Sequence, residues 1–339
     1  RGWCAMTRRQ HAAAVVLVGL LLIATYAGHV WAAGLVYEDA VWNATAAPVP
    51  IWQARSLAQW SWYVQLSVAS SPQAFHAVNL GLFAGLLALT GLLSRRLGLS
   101  LAGAYGVMAV LAVHPGAVES AAYAAARPEL IAALGVVGAC LASLQGRWFL
   151  ASVCVVLGLG GKETALIALL LIPLVRWTAG RPLSWAWATI PLAAGAVMVW
   201  AYGGPAVVLD IATYGQTPDP VTGLDWFLTQ SAAAYRLIGV AISGTGMTID
   251  ADIDRFTLIA RWLSVAALAA LSLTAWTFRH SHRLVSAGFA WCLLSIAPRL
   301  LVQTPRSYLN EHQFLVPLLG LTIAGVSVWD GWQVRSAQP

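Results

Sequence analysis

Polar positions are rare along this chain, and they fall between long apolar windows. The windows run over 12–34, 77–94, 99–114, 130–145, 148–159, 164–177, 186–203, 258–277, 284–300 and 314–328. Most approach the length that carries a helix across the hydrocarbon core of a bilayer. The pattern predicts an all-α polytopic membrane protein of about ten transmembrane helices, one domain over 1–339. Two segments, 37–76 and 204–256, interrupt it. In the first, Leu57, Trp60, Val64 and Val68 recur at helical spacing beside Gln59, Ser61 and Gln65, which predicts an amphipathic helix along the membrane interface. In the second, Pro205, Pro218, Pro220 and Gly223 break helices before a second interfacial helix over Asp225 to Ile242. Gly160-Gly161-Lys162-Glu163 divides 148–177 into two short halves, read either as two crossings or as one re-entrant hairpin.

Composition agrees with the windows. The chain is 59% hydrophobic and only 9% charged, with a mean hydropathy of +0.73, outside the soluble range in which about a quarter of residues are charged. A net charge of +6 suggests nucleic acid in a soluble protein, but here its placement follows the positive-inside rule. With Arg8 and Arg9 cytoplasmic, alternation puts Arg95, Arg96, Arg147, Arg176, Arg181, Arg279, Arg283 and Arg335 on that side with one acid, Asp330. The remaining acids then lie at or beyond the opposite face, so both interrupting segments are non-cytoplasmic loops. Nucleic acid is therefore not expected as a partner. The first apolar stretch lacks a clean cleavage site and is expected to remain as a helix. Cys140, Cys154 and Cys292 fall in apolar windows and Cys4 lies apart, with no ligand spacing, which predicts free thiols.

The candidate chemistry gathers on the non-cytoplasmic side. Glu38-Asp39 are adjacent carboxylates directly after the first window, and Glu119 follows the third. Such acids suit removal of a proton from an attacking hydroxyl, or support of a metal; the plain alternative is solvated loop acids. Arg127, Lys162, Arg299 and Arg306 supply cations near helix ends on the same side, where a fork or point charge can hold a phosphate. Interfacial snorkelling is the competing reading, favoured for Arg299. Lys162 is the only lysine in the chain. His76 and His114 bound apolar windows and could join Glu119 at a metal, or act as hydrogen-bonding residues at helix ends. Trp60 and Trp62 can stack on a sugar; most of the 17 tryptophans read as interfacial anchors.

Several motifs, taken in order, resemble a known family. They are Tyr37-Glu38-Asp39, Arg55-Ser-Leu, Phe75-His76-Ala-Val-Asn79-Leu, His114-Pro115-Gly-Ala-Val-Glu119, Arg127-Pro-Glu129-Leu, Lys162-Glu163-Thr-Ala and Pro305-Arg306 with Asn310-Glu311. The series resembles the membrane domain of tetratricopeptide-repeat O-mannosyltransferases, and more broadly the GT-C glycosyltransferases, without the repeats in these 339 residues. The resemblance implies a membrane glycosyltransferase that passes a sugar from a polyprenyl-phosphate carrier to a protein or glycan acceptor at the non-cytoplasmic face. It implies Glu38 or Asp39 as base, Glu119 as a supporting acid, and Arg127, Lys162 and Arg306 as phosphate contacts. Arg55, His76, His114, Glu163 and Glu311 become supporting residues, and a divalent cation (Mg or Mn) at Asp39 and Glu119 is the cofactor to look for. The relatives usually carry two aspartates where this chain has Glu38-Asp39. An alanine-, arginine- and tryptophan-rich, lysine-poor composition suggests a bacterial inner membrane, with the active site facing the periplasm. The rival readings are a transporter or flippase of a lipid-linked or anionic substrate, and a non-catalytic membrane subunit.

Overall fold

The computed structural model describes residues 7–32, 55–202, 223–246, 256–301 and 311–336, and these are helical with short connections and no strand. The α-helices are α1 Arg8–Ala32, α2 Ser56–Val68, α3 Pro72–Leu97, α4 Leu101–Val113, α5 Pro115–Ala122, α6 Arg127–Leu144 and α7 Trp148–Gly161. They continue as α8 Ala168–Thr178, α9 Thr189–Tyr202, α10 Gly223–Ser243, α11 Leu258–Thr277, α12 Arg283–Leu301 and α13 Leu315–Ser336. Among the described residues, six helical segments are long and apolar enough to cross a bilayer: α1, α3, Ala124–Leu144 (containing α6), α11, α12 and Leu315–Gln333 in α13. A seventh forms if α4 and α5, bent by 68°, count as one broken span. These helices make the chain a membrane protein.

Local chemistry sets the helix ends. Ser71 caps α3, accepting from Ala74 N at 3.3 Å, with Pro72 in the first turn, where a missing N–H costs nothing. At the other end Gly98 takes φ 113°, a conformation glycine adopts without strain, and closes the helix. Ser100 caps α4, accepting from Gly103 N at 2.9 Å, and Thr257 caps α11 in the same way. The bend between α4 and α5 lies at His114-Pro115, because proline disfavours a helical residue before it.

Small residues pull two helix pairs together. A Cβ added at Gly135 of α6 would lie 2.5 Å from the Gly158 Cα of α7, and one added at Gly161 would lie 2.7 Å from Ile131. Gly288 of α12 and Gly320 of α13 approach as closely, a Cβ on either meeting the other's carbonyl at 2.5 or 2.6 Å. Between helices in lipid, this backbone contact replaces the hydrophobic driving force that water supplies elsewhere. At 14 and 11 residues, α7 and α8 are short apolar helices joined by the 3₁₀ turn Glu163–Ile167.

Side-chain contacts sort the helix ends into two groups that match the charge pattern. One end holds the His11–Tyr105 bond, the bonds from Ser100 to Asp330, and the Arg176 bonds to Ser143 and Pro182 carbonyls. The other holds the His29 and His76 bonds to the Ala122 carbonyl and the Arg55–Glu163 and Lys162–Glu129 pairs. We label the first end inner and this second end, which helix α10 lies across, outer. Trp226 near its start donates to the Arg299 carbonyl, and the Ala241 carbonyl near its end bonds to His114.

Helix α2 also sits at the outer end, with its faces inverted relative to a soluble helix. Ser56, Ala58, Trp62 and Gln65 are buried, while Val64 and Val68 are 53% and 83% exposed. In a bilayer interface this is the stable orientation, with polar side chains on protein and the aliphatic stripe toward lipid.

Candidate functional site: a charged cluster at the outer end

The site begins with Arg55, the residue before α2. It is the one described non-glycine residue with positive φ, at 58°, a left-handed conformation that costs an ordinary side chain energy. The turn aims its guanidinium across to the α7–α8 connection. There Nε donates to Glu163 Oε2 at 3.1 Å and Nη2 to Oε1 at 2.7 Å, a forked, charge-assisted pair. Partial burial disfavours an ionised Glu163, but the Arg55 charge and hydrogen bonds, together with Lys162, outweigh it and hold the carboxyl down at about 2. Glu163 is therefore an anion at neutral pH.

Lys162 precedes it, at the C-terminal end of α7. Its ammonium is buried and donates to Glu129 Oε1, from the first turn of α6. The glycine contacts between α6 and α7 bring these two residues, 33 apart in sequence, within hydrogen-bond reach. Arg299, in the last turn of α12, lies near enough to interact electrostatically with Glu129, Glu163 and Arg55. Four elements thus place three cations, Arg55, Lys162 and Arg299, against two carboxylates, Glu129 and Glu163. Among the described residues, with Lys162 charged in its pair with Glu129, one positive charge is in excess. The Arg55 side chain is 37% exposed and Lys162 only 9%, so an incoming anion meets arginine first.

Arg127 occupies a different setting from the phosphate contact expected of it. It is fully buried, and each of its three guanidinium nitrogens is engaged. Nε donates to Asn79 Oδ1 at 2.8 Å, Nη1 to Ser61 Oγ at 3.4 Å, and Nη2 to Gln65 Oε1 at 2.6 Å and the Phe75 carbonyl at 3.4 Å, above the Phe75 ring. The cage locks α2 onto α3 and α6 and so fixes where Arg55 starts.

His76 and His114 likewise have structural partners. His114 caps α5 by accepting from Gly116 N at 2.9 Å through Nδ1, and its Nε2–H donates to the Ala241 carbonyl at 2.8 Å. Both ring nitrogens are used. His76 Nδ1–H donates to the Ala122 carbonyl at 2.7 Å, leaving buried Nε2 without a partner among the described residues. The His29 ring stands edge-on to it at 4.6 Å. Glu119 is half-buried on α5, the helix that supplies this carbonyl. Glu311 opens the 3₁₀ turn Glu311–Phe314, which packs on α5. Among the described residues no three His, Cys, Asp or Glu side chains gather as a metal site. Glu38, Asp39 and Arg306 lie outside the described residues.

Sequence spacing singled out Lys162 and Glu163 but not their partners. Glu129 stood within a quoted motif without a role, and Arg299 read as an anchor. The available signal was an acid two residues after Arg127 and directly before the apolar window 130–145, where a carboxylate requires a counter-charge. Comparison with known proteins adds nothing to this geometry, since no family model, curated protein or solved structure matches the chain.

Proposed function

We propose that the protein is a membrane glycosyltransferase of the GT-C type, with about ten crossings, which transfers a sugar from a polyprenyl-phosphate carrier to a protein or glycan hydroxyl at the non-cytoplasmic face. The observation that carries the reading is the cluster of Arg55, Glu129, Lys162, Glu163 and Arg299, with its one excess positive charge at the outer end. A lipid phosphate is the anion a membrane delivers to such a place. Arg55 is the direct contact. Lys162 contributes field from behind it, and Glu129 and Glu163 position the two cations. Arg127 belongs to the scaffold, and Arg306 is kept as a further phosphate contact on the motif resemblance alone.

The chemistry is a direct displacement. The acceptor oxygen attacks the anomeric carbon while Asp39 or Glu38 takes its proton, and the bond from that carbon to the phosphate oxygen breaks. Its electron pair leaves with the carrier phosphate, whose growing negative charge the cluster stabilises. Glu119 is the supporting acid. The setting proposed is a bacterial inner membrane, with the cluster facing the periplasm.

The test is sugar transfer in proteoliposomes supplied with a polyprenyl-phosphate sugar or with a nucleotide sugar. Transfer is expected from the lipid donor alone, and Asp39→Asn with Glu38→Gln should abolish it while the melting temperature holds. Full activity of that double variant, or transfer from the nucleotide sugar, contradicts the assignment.

A further inference from the structure

A cavity lies at the opposite end of the bundle from the charged cluster. Its volume is about 590 Å³, within the roughly 300–1,000 Å³ usual for ligand pockets. It opens between the cytoplasmic ends of α11, α12 and α13, beside Gly98 at the end of α3. Phe278, Val285, Phe289 and Val328 make its walls largely apolar; its polar groups lie around the start of α12 and near the end of α13, apart from Thr274 of α11, whose hydroxyl donates to the Ala270 carbonyl.

Those polar groups favour an anion. Ser286 lines the cavity, is 3% exposed, and its hydroxyl has no hydrogen-bond partner among the described residues. A buried hydroxyl left unmatched is costly, and a ligand oxygen would satisfy it. Arg283 also lines the cavity; Nη2 bonds the Trp177 carbonyl and the guanidinium stacks on the Trp177 ring at 4.7 Å. Its Nε and Nη1 engage nothing else among the described residues. His282 stands beside it on the same rim. The one acid there, Asp330, has both oxygens turned to the Ser100 amide and hydroxyl. Arg279 on the adjoining turn and Arg96 before Gly98 add positive charge.

We infer that this cavity binds one anionic glycerophospholipid of the cytoplasmic leaflet, with its phosphate on Arg283, Ser286 and His282 and an acyl chain along Phe278, Val285 and Phe289. Basic pockets between membrane helices on the cytoplasmic side suit such headgroups. The inference stands apart from the proposed glycosyl transfer.

The test titrates delipidated protein, in an uncharged detergent, with phosphatidylglycerol, phosphatidylcholine or inorganic phosphate, counting bound molecules by native mass spectrometry. Wild type should hold one phosphatidylglycerol with roughly ten- to a hundred-fold preference over phosphatidylcholine, the range of a charge-assisted phosphate contact. Val285→Trp should fill the cavity and remove the bound lipid; Arg283→Gln should remove the preference while phosphatidylcholine still binds. Melting temperature without lipid checks that each variant folds, and either one decides the question alone. Equal binding of the two lipids by wild type, retention of the preference in folded Arg283→Gln or of the lipid in folded Val285→Trp, or displacement by inorganic phosphate would overturn the assignment.

Discussion

Arginine is used differently at the two ends of this bundle. At the inner end three guanidinium groups act locally. Arg176 holds the Ser143 and Pro182 carbonyls over Trp148, Arg283 the Trp177 carbonyl and ring, and Arg279 the Trp276 carbonyl and ring. These bonds satisfy helix-end carbonyls, and no carboxylate is needed. At the outer end Arg55 and Lys162 bind the carboxylates of other helices, and Arg299 shares the same field. The first arrangement anchors helix ends one at a time. The second is coupled, so a change at one member alters the charge balance of all.

That contrast is open to direct attack. Lys162→Ala removes the hydrogen-bonded partner of buried Glu129, leaving only the longer-range field of Arg299, and should cost about 3–5 kcal/mol, read as a large fall in melting temperature in detergent. Lys162→Met combined with Glu129→Leu should recover most of the loss, because it removes both charges. Next in size is Gly135→Ala, whose methyl would meet α7 backbone at 2.5–2.8 Å with no flexible atom to yield. A cost of about 1–3 kcal/mol is expected, and because the pair that aligns Lys162 with Glu129 is forced apart, donor binding should weaken with it. The smallest effect belongs to the inner end. Arg279→Ala removes an exposed stacking contact 3.9 Å above Trp276 and should cost no more than about 1 kcal/mol, with donor affinity unchanged. A loss of donor affinity there would erase the distinction between the ends.

The parts of the fold set by local rules were legible in the sequence. Apolar windows gave α1, α3, α11 and α12 to within about five residues, whereas α13 runs eight residues past the end of its window. The count of crossings depends on shorter pieces: α7 and α8, at 14 and 11 residues, span only about 1.5 Å per residue, less than a bilayer core. The site was legible in part. Lys162 and Glu163 stood out by rarity, and Arg55 by its motif. Their partners were hidden because the Lys162–Glu129 contact is made by glycine packing between α6 and α7, which no charge pattern reports. The setting of Arg127 has a related origin. Ser61 and Gln65 belong to the polar side of an interfacial helix, and with lipid on the apolar side that face turns inward to surround the guanidinium.

The central claim, that the outer cluster holds a lipid phosphate through Arg55, is met most directly by the affinity of purified Arg55→Gly for polyprenyl phosphate in detergent. Glycine accepts the φ of 58° without strain, so the backbone is relieved while the fork is lost and the cluster falls to neutral. Affinity should drop roughly ten- to a hundred-fold in protein that still melts cooperatively. Wild-type affinity in a folded Arg55→Gly protein would contradict the account.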